Sequence, residues 1–124
     1  MNIRTLLDVK YIFVQIAQTK ISSKLAYKIM KFYKSIEVEE KFYNSKKTEI
    51  INLYSEKDST GYPVVDDNDN VVIIPDKIQE AHEAMNELNN INVEIPNIKF
   101  TLDELEELKL SVADMYILDA FIEE

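Results

Sequence analysis

A single glycine in 124 residues is the strongest constraint this sequence places on its own fold. Tight turns and strand reversals draw on glycine because it enters the left-handed backbone region without steric cost. With one glycine and three prolines, a turn-rich all-β architecture is disfavoured and long uninterrupted helices are favoured. Apolar residues make up 46 % and charged residues 30 % of the chain. A chain of this length and composition can bury its own core, and it is read as a single domain over 1–124. There is no cysteine, which removes disulfides, thiol catalysis and cysteine-ligated zinc.

The first helix is predicted over 4–19. Leu6, Val9, Phe13 and Ile16 recur at three- and four-residue spacing beside a second row of Leu7, Tyr11 and Val14. A helix apolar around most of its circumference belongs in the core. Ser22 or Ser23 is the natural N-cap of a second helix, long enough to run from about 23 to 57. Ile29, Ile36, Tyr43 and Ile50 lie seven apart and form a packing seam, but Glu39 and Lys46 stand where its companion apolar residues belong. The stretch Glu37 to Lys41 is the weakest part of that helix and the expected place for a bend or break.

Two β-branched runs follow, Tyr62 to Val65 and Val71 to Ile74, around Asp66-Asp67-Asn68-Asp69-Asn70. Asn and Asp bond their own backbone and tolerate left-handed conformations, so a hairpin is expected here. Pro75 and Asp76 suit the start of a third helix carrying Ile78, Ala81, Met85 and Leu88 on one face. Thr101 and Ser111 cap two C-terminal helical segments, Leu102 to Lys109 and Val112 to Ile122, the latter docking through Met115, Leu118, Phe121 and Ile122. No internal repeat is apparent. The expected fold is mainly α: an antiparallel helical arm, a small β-hairpin and short C-terminal helices.

Catalytic patterns are not found. His82 is the only histidine, and Gln79 stands where a di-iron bundle needs Glu. No serine sits in a nucleophile-elbow context. Asp66, Asn68 and Asn70 imitate the opening of a calcium loop, but Val71 replaces the required glycine and Lys77 the bidentate Glu. One glycine cannot build a phosphate-cradling loop. The expectation is a protein that is not an enzyme and uses no cofactor and no metal.

Charge is the informative property. Residues 1–57 hold 11 Lys and Arg against 6 Asp and Glu, a net +5, whereas residues 58–124 hold 3 against 17, a net −14. Either the two parts neutralise each other on packing, or they present separate poles to different partners. The acidic candidates for partner binding are Asp103, Glu104, Glu106, Glu107, Asp114, Asp119, Glu123 and Glu124. The basic candidates form a row, Lys20, Lys24, Lys28, Lys31 and Lys34, on one side of the second helix, with Tyr27 and Tyr33 nearby. Such a row can track phosphates, although a chain of net charge −9 repels a polyanion as a whole. No stretch approaches the apolar length of a membrane span and no signal-peptide pattern opens the chain, so a cytoplasmic protein is expected.

Several pieces together resemble a known family. Lys24-Leu25-Ala26-Tyr27-Lys28-Ile29 opens a long helix and Tyr54-Ser55-Glu56-Lys57-Asp58 ends it, followed by an Asp/Asn turn and a helix. Leu102-Asp103-Glu104-Leu105, Leu110-Ser111 and Leu118-Asp119-Ala120-Phe121-Ile122-Glu123 complete the pattern over roughly residues 20 to 124. This is similar to a family of small proteins of unknown function encoded by tailed phages and prophages of low-GC Gram-positive bacteria. It departs from that family at Asn68-Asp69-Asn70, where Asp-Gly is usual. The resemblance implies a phage origin and carries no functional residues. The expected role is an accessory protein that binds a host or phage protein, with inhibition of a host or anti-phage defence protein through the acidic surface as the leading form. The alternatives are a virion or tail assembly component, in which copies of the chain associate, and a nucleic-acid-binding protein using the lysine row.

Overall fold

The computed structural model describes residues 1–16, 18 and 20–123. The chain is mainly helical, with six α-helices among the described residues, and it divides into two compact units. The first comprises residues 1–40 and 92–124, the second residues 41–91.

In the first unit, α1 spans Ile3–Ile16 and buries Ile3, Leu6, Val9, Ile12 and Phe13. Asn2 caps it, its Oδ1 accepting the Thr5 N–H at 2.8 Å. Residues 17 and 19 of the helix expected over 4–19 lie outside the described residues. Helix α2 spans Ser23–Ser35 and is capped by Ser22, with Leu25, Ile29 and Phe32 buried. The long helix expected from 23 to 57 is interrupted at Ile36, whose φ of −110° and ψ of 5° are not helical. Helix α3 then runs from Glu37 to Tyr54. The break therefore precedes the weak stretch read from sequence. Glu37, Glu39 and Glu40 form the first turn of a new helix, where carboxylates offset the positive end of its dipole.

The C-terminal part of this unit is built from short pieces. Strands β1 (Phe100–Thr101) and β2 (Ile122–Glu123) pair in parallel, Phe100 opposite Ile122. Between them lie α5 (Leu102–Leu105), α6 (Val112–Leu118) and a 3-10 turn at Asp119–Phe121. Both helices begin with a full capping box, Thr101 with Glu104 and Ser111 with Asp114. Each satisfies two backbone N–H groups that a short helix would otherwise leave to water.

Four phenylalanines hold the core. Phe13 lies 5.7 Å from Phe32 and 5.0 Å from Phe100, and Phe32 lies 5.2 Å from Phe121 in an edge-on arrangement. All four are buried, together with Leu6, Val9, Leu25, Ile29, Ile36, Leu105, Leu108 and Leu118. The expected docking face of the last segment is partly confirmed: Leu118 and Phe121 are buried and Met115 and Ile122 half-buried.

The second unit is the antiparallel arm. The α3 stretch 41–54 is matched by α4, Ile78–Asn89. Tyr43 Oη donates to Asn89 Oδ1 at 2.7 Å at one end, and the Ile74 N–H bonds the Tyr54 carbonyl at 2.9 Å at the other. Tyr43, Ala81 and Leu88 are the buried hydrophobic side chains of the arm.

The expected hairpin is present but incomplete as a description. Antiparallel bridges join Val65 to Val71, Lys57 to Pro63 and Ser55 to Ile73. Three straight strands cannot all be mutually antiparallel, so each segment pairs with one neighbour near its start and the other near its end, and the three enclose a triangle. Its hydrogen bonds form a ring: Glu56 N–H donates to Val72 O, Val72 N–H to Val64 O, and Val64 N–H to Glu56 O, at 2.9, 2.9 and 2.8 Å. The corners repeat as well, with the N–H groups of Gly61, Asp69 and Lys77 donating to the carbonyls of Asp58, Asp66 and Ile74. These positions are eight residues apart, so residues 54–77 are a threefold structural repeat where the sequence shows none. Backbone bonds ask little of side chains, which is why the repeat is hidden. Its visible trace is the corner acid pair: Asp58 Oδ1 accepts from the N–H groups of Thr60 and Tyr62, and Asp66 Oδ1 from those of Asn68 and Asn70.

Candidate functional site

The acidic candidates fall into two groups. Three are committed to contacts within the chain. Glu104 accepts the Thr101 N–H at 2.8 Å within its capping box and holds Lys28 Nζ at 2.8 and 3.1 Å. The Lys28 hydrogen bond first, and the Thr101 N–H second, keep the Glu104 carboxyl below the ordinary carboxylate range. Glu107 accepts the backbone N–H of Ser22 at 2.8 Å, and hydrogen bonding from the Ser22 side chain first and this backbone N–H second lowers its pKa too. Asp114 closes the second capping box on the Ser111 N–H at 3.0 Å.

Asp103, Glu106, Asp119 and Glu123 are exposed, and none forms an ion pair among the described residues. Glu124, the eighth candidate, lies outside the described residues. The structure adds apolar neighbours that the sequence reading did not single out. On α6, Val112 and Tyr116 stand 75 % and 81 % exposed, and Leu102 at the start of α5 is 59 % exposed. Sequence spacing contains part of this signal, since 112 and 116, four apart, share one stripe of α6. Between α5 and α6 lies an open cleft of about 260 Å³ lined by Leu102, Asp103, Leu105, Glu106, Leu110 and Met115. That is below the volume of ordinary small-molecule pockets and suits a single inserted side chain.

The basic row is partly dispersed. Lys20 precedes α2 and is not on the helix, which begins at Ser23 and so cannot carry it. Lys24, Lys31 and Lys34 are exposed, and Lys31 Nζ sits 5.6 Å from the Tyr27 ring centroid. Lys28 turns inward, paired with Glu104 and 5.3 Å from the Phe100 ring centroid. One lysine of the row thus meets the chain's own acidic part.

His82 is exposed on α4. Among the described residues no three His, Asp or Glu side chains gather as a metal site would require, and no helix is long and apolar enough to cross a membrane. Asp66, the first residue of the calcium-like turn, spends its carboxylate on its own turn's N–H groups. Comparison with protein-family models, with curated proteins and with solved structures finds no match.

Proposed function

We propose that this chain works by binding another protein through the outer surface of its C-terminal helices, and that the partner presents basic side chains. The observation that carries the reading is the cleft between α5 and α6, with Leu105 and Met115 in its lining and the unpaired Asp103 and Glu106 beside them. An apolar floor with carboxylates at the rim receives the stem and the charged head of a lysine or arginine. The exposed Tyr116 and Val112 add the aromatic and aliphatic contact area that protein interfaces favour. The remaining free acids, Asp119 and Glu123, extend the negative field that steers such a partner in.

The resemblance to the tailed-phage family supplies the setting: an accessory protein made in an infected bacterium, acting in its cytoplasm on a host or defence protein. An acidic protein that covers a basic surface blocks whatever anion that surface serves, and inhibition follows from occupancy without chemistry. The test is affinity purification from host lysate with the wild-type chain and with Asp103→Lys/Glu106→Lys. A partner retained by the wild type and lost with the double reversal supports the reading. A partner held equally by both, or none retained at micromolar concentration, refutes it.

A further inference from the structure

The arm of residues 41–91 buries little for its size. Its buried hydrophobic side chains are Tyr43, Ala81 and Leu88, while Phe42, Leu53, Tyr62, Val65, Ile78 and Ile91 are exposed. A unit of this length has a marginal core even when well packed.

The exposed groups on its helices are ordered. Phe42, Lys46, Glu49 and Leu53 follow one another at spacings of four, three and four, forming one stripe of α3. Glu80, Glu83 and Glu87, at spacings of three and four, form one stripe of α4. Phe42 precedes the buried Tyr43 by one residue, and Glu80 likewise precedes the buried Ala81. In an antiparallel helix pair, equal rotations from the two buried stripes point to the same side. The arm therefore has one broad face, apolar at Phe42 and Leu53, with Lys46 paired to Glu49 between them, and acidic along α4, where Glu80 also pairs with Lys77.

The counterpart lies on α2. Lys24, Tyr27, Lys31 and Lys34 recur at three, four and three residues and form its outward stripe, with Met30 beside it. Tyr27 is 61 % and Met30 38 % exposed, and none of these three lysines forms an ion pair among the described residues. At 1.5 Å rise per residue the lysine stripe is about 15 Å long and the Phe42–Leu53 stripe about 16 Å. Length and charge match.

We propose that copies of this chain associate with one another, the α2 stripe of one docking on the acidic face of the α3–α4 arm of a second. The lysines meet Glu80, Glu83 and Glu87, and Tyr27 and Met30, less than one helical turn apart, cover Phe42 at one end of the α3 stripe. This contact uses none of the residues assigned to the C-terminal cleft, so it stands or falls independently of the partner proposed there.

The experiment is sedimentation of the full chain from micromolar to hundred-micromolar concentration at low and high salt. Three proteins are compared: wild type, Lys24→Glu/Lys31→Glu/Lys34→Glu, and Glu80→Lys/Glu83→Lys/Glu87→Lys. Wild type should associate, about tenfold more weakly at high salt. Each variant alone should sediment as a monomer, because its two faces now carry like charge. An equimolar mixture of the variants should associate again, because each supplies the face the other has reversed. All substituted residues are exposed, and an unchanged circular dichroism spectrum confirms folding. A wild-type monomer throughout the range overturns the proposal, as does a mixture of folded variants that fails to associate.

Discussion

Gly61 tests the triangle at its most exacting position. Its φ is +87°, and a methyl group built on it meets no atom within 4 Å. Substitution by alanine therefore costs nothing in packing, and its effect is confined to the backbone. Holding an L-residue in the left-handed region costs about 1–2 kcal/mol. Replacing glycine stiffens the unfolded chain and returns about 0.5–1 kcal/mol. Gly61→Ala should thus destabilise by up to about 1.5 kcal/mol. The equivalent corner of the repeat holds Asp69 at φ +62°, a residue that tolerates the conformation. Asp69→Gly should leave stability within about 0.5 kcal/mol, because relief of strain and the freer unfolded chain oppose each other. Urea unfolding followed by circular dichroism measures both. Amide exchange adds the decisive readout: the ring couples Glu56, Val64 and Val72, so loosening the Gly61 corner should raise exchange at all three N–H groups. A stabilising Gly61→Ala refutes the backbone argument. Faster exchange at Val64 with none at Val72 refutes the closed ring.

Three further outcomes follow from the first unit. Phe32→Ala removes a fully buried ring that contacts both Phe13 and Phe121, and denaturant unfolding should show a loss of about 3–5 kcal/mol. Thr101→Ala removes the hydroxyl that accepts the Glu104 N–H, and the same assay should register about 1 kcal/mol. Glu104 has a folded pKa below its ordinary value. Its stabilising contribution is therefore present above the unfolded pKa and is lost as pH falls through the folded one. Urea midpoints should fall on acidification below about pH 5, and Lys28→Met should flatten that fall by removing the first cause of the shift. An unchanged slope in Lys28→Met means that the Lys28–Glu104 contact does not form in solution.

The residues of the candidate surfaces were legible in unequal measure. Asp103, Glu106, Asp119 and Glu123 stand exposed as an acid-rich C-terminal run suggests. Glu104, Glu107 and Asp114 belong to the same run, yet they serve caps and a lysine. The capping boxes were half visible, since Thr101 and Ser111 were readable as caps. Which acids would close back on them depends on the turn that forms, and the Ser22 contact of Glu107 joins residues 85 apart in sequence. The lysine row shows the same limit. Its spacing is a property of sequence, but whether Lys28 points to water or to Glu104 is set by where α5 lies.

Local chemistry decided what the sequence by itself determined. Scarce glycine and apolar residues at helical spacing specify helices, Ser22, Thr101 and Ser111 specify where three of them start, and Asp66 with Asn68 and Asn70 specifies a turn. Each rests on bonds between residues a few positions apart, whose geometry the chain carries wherever it goes. The break near Glu37 was legible to within one residue, whereas the parallel pairing of Phe100 with Ile122, the contacts among the four phenylalanines and the threefold triangle were decided by tertiary structure alone. They join segments far apart in the chain, or in the triangle join backbone groups that every residue type supplies. No single position in the sequence announces them.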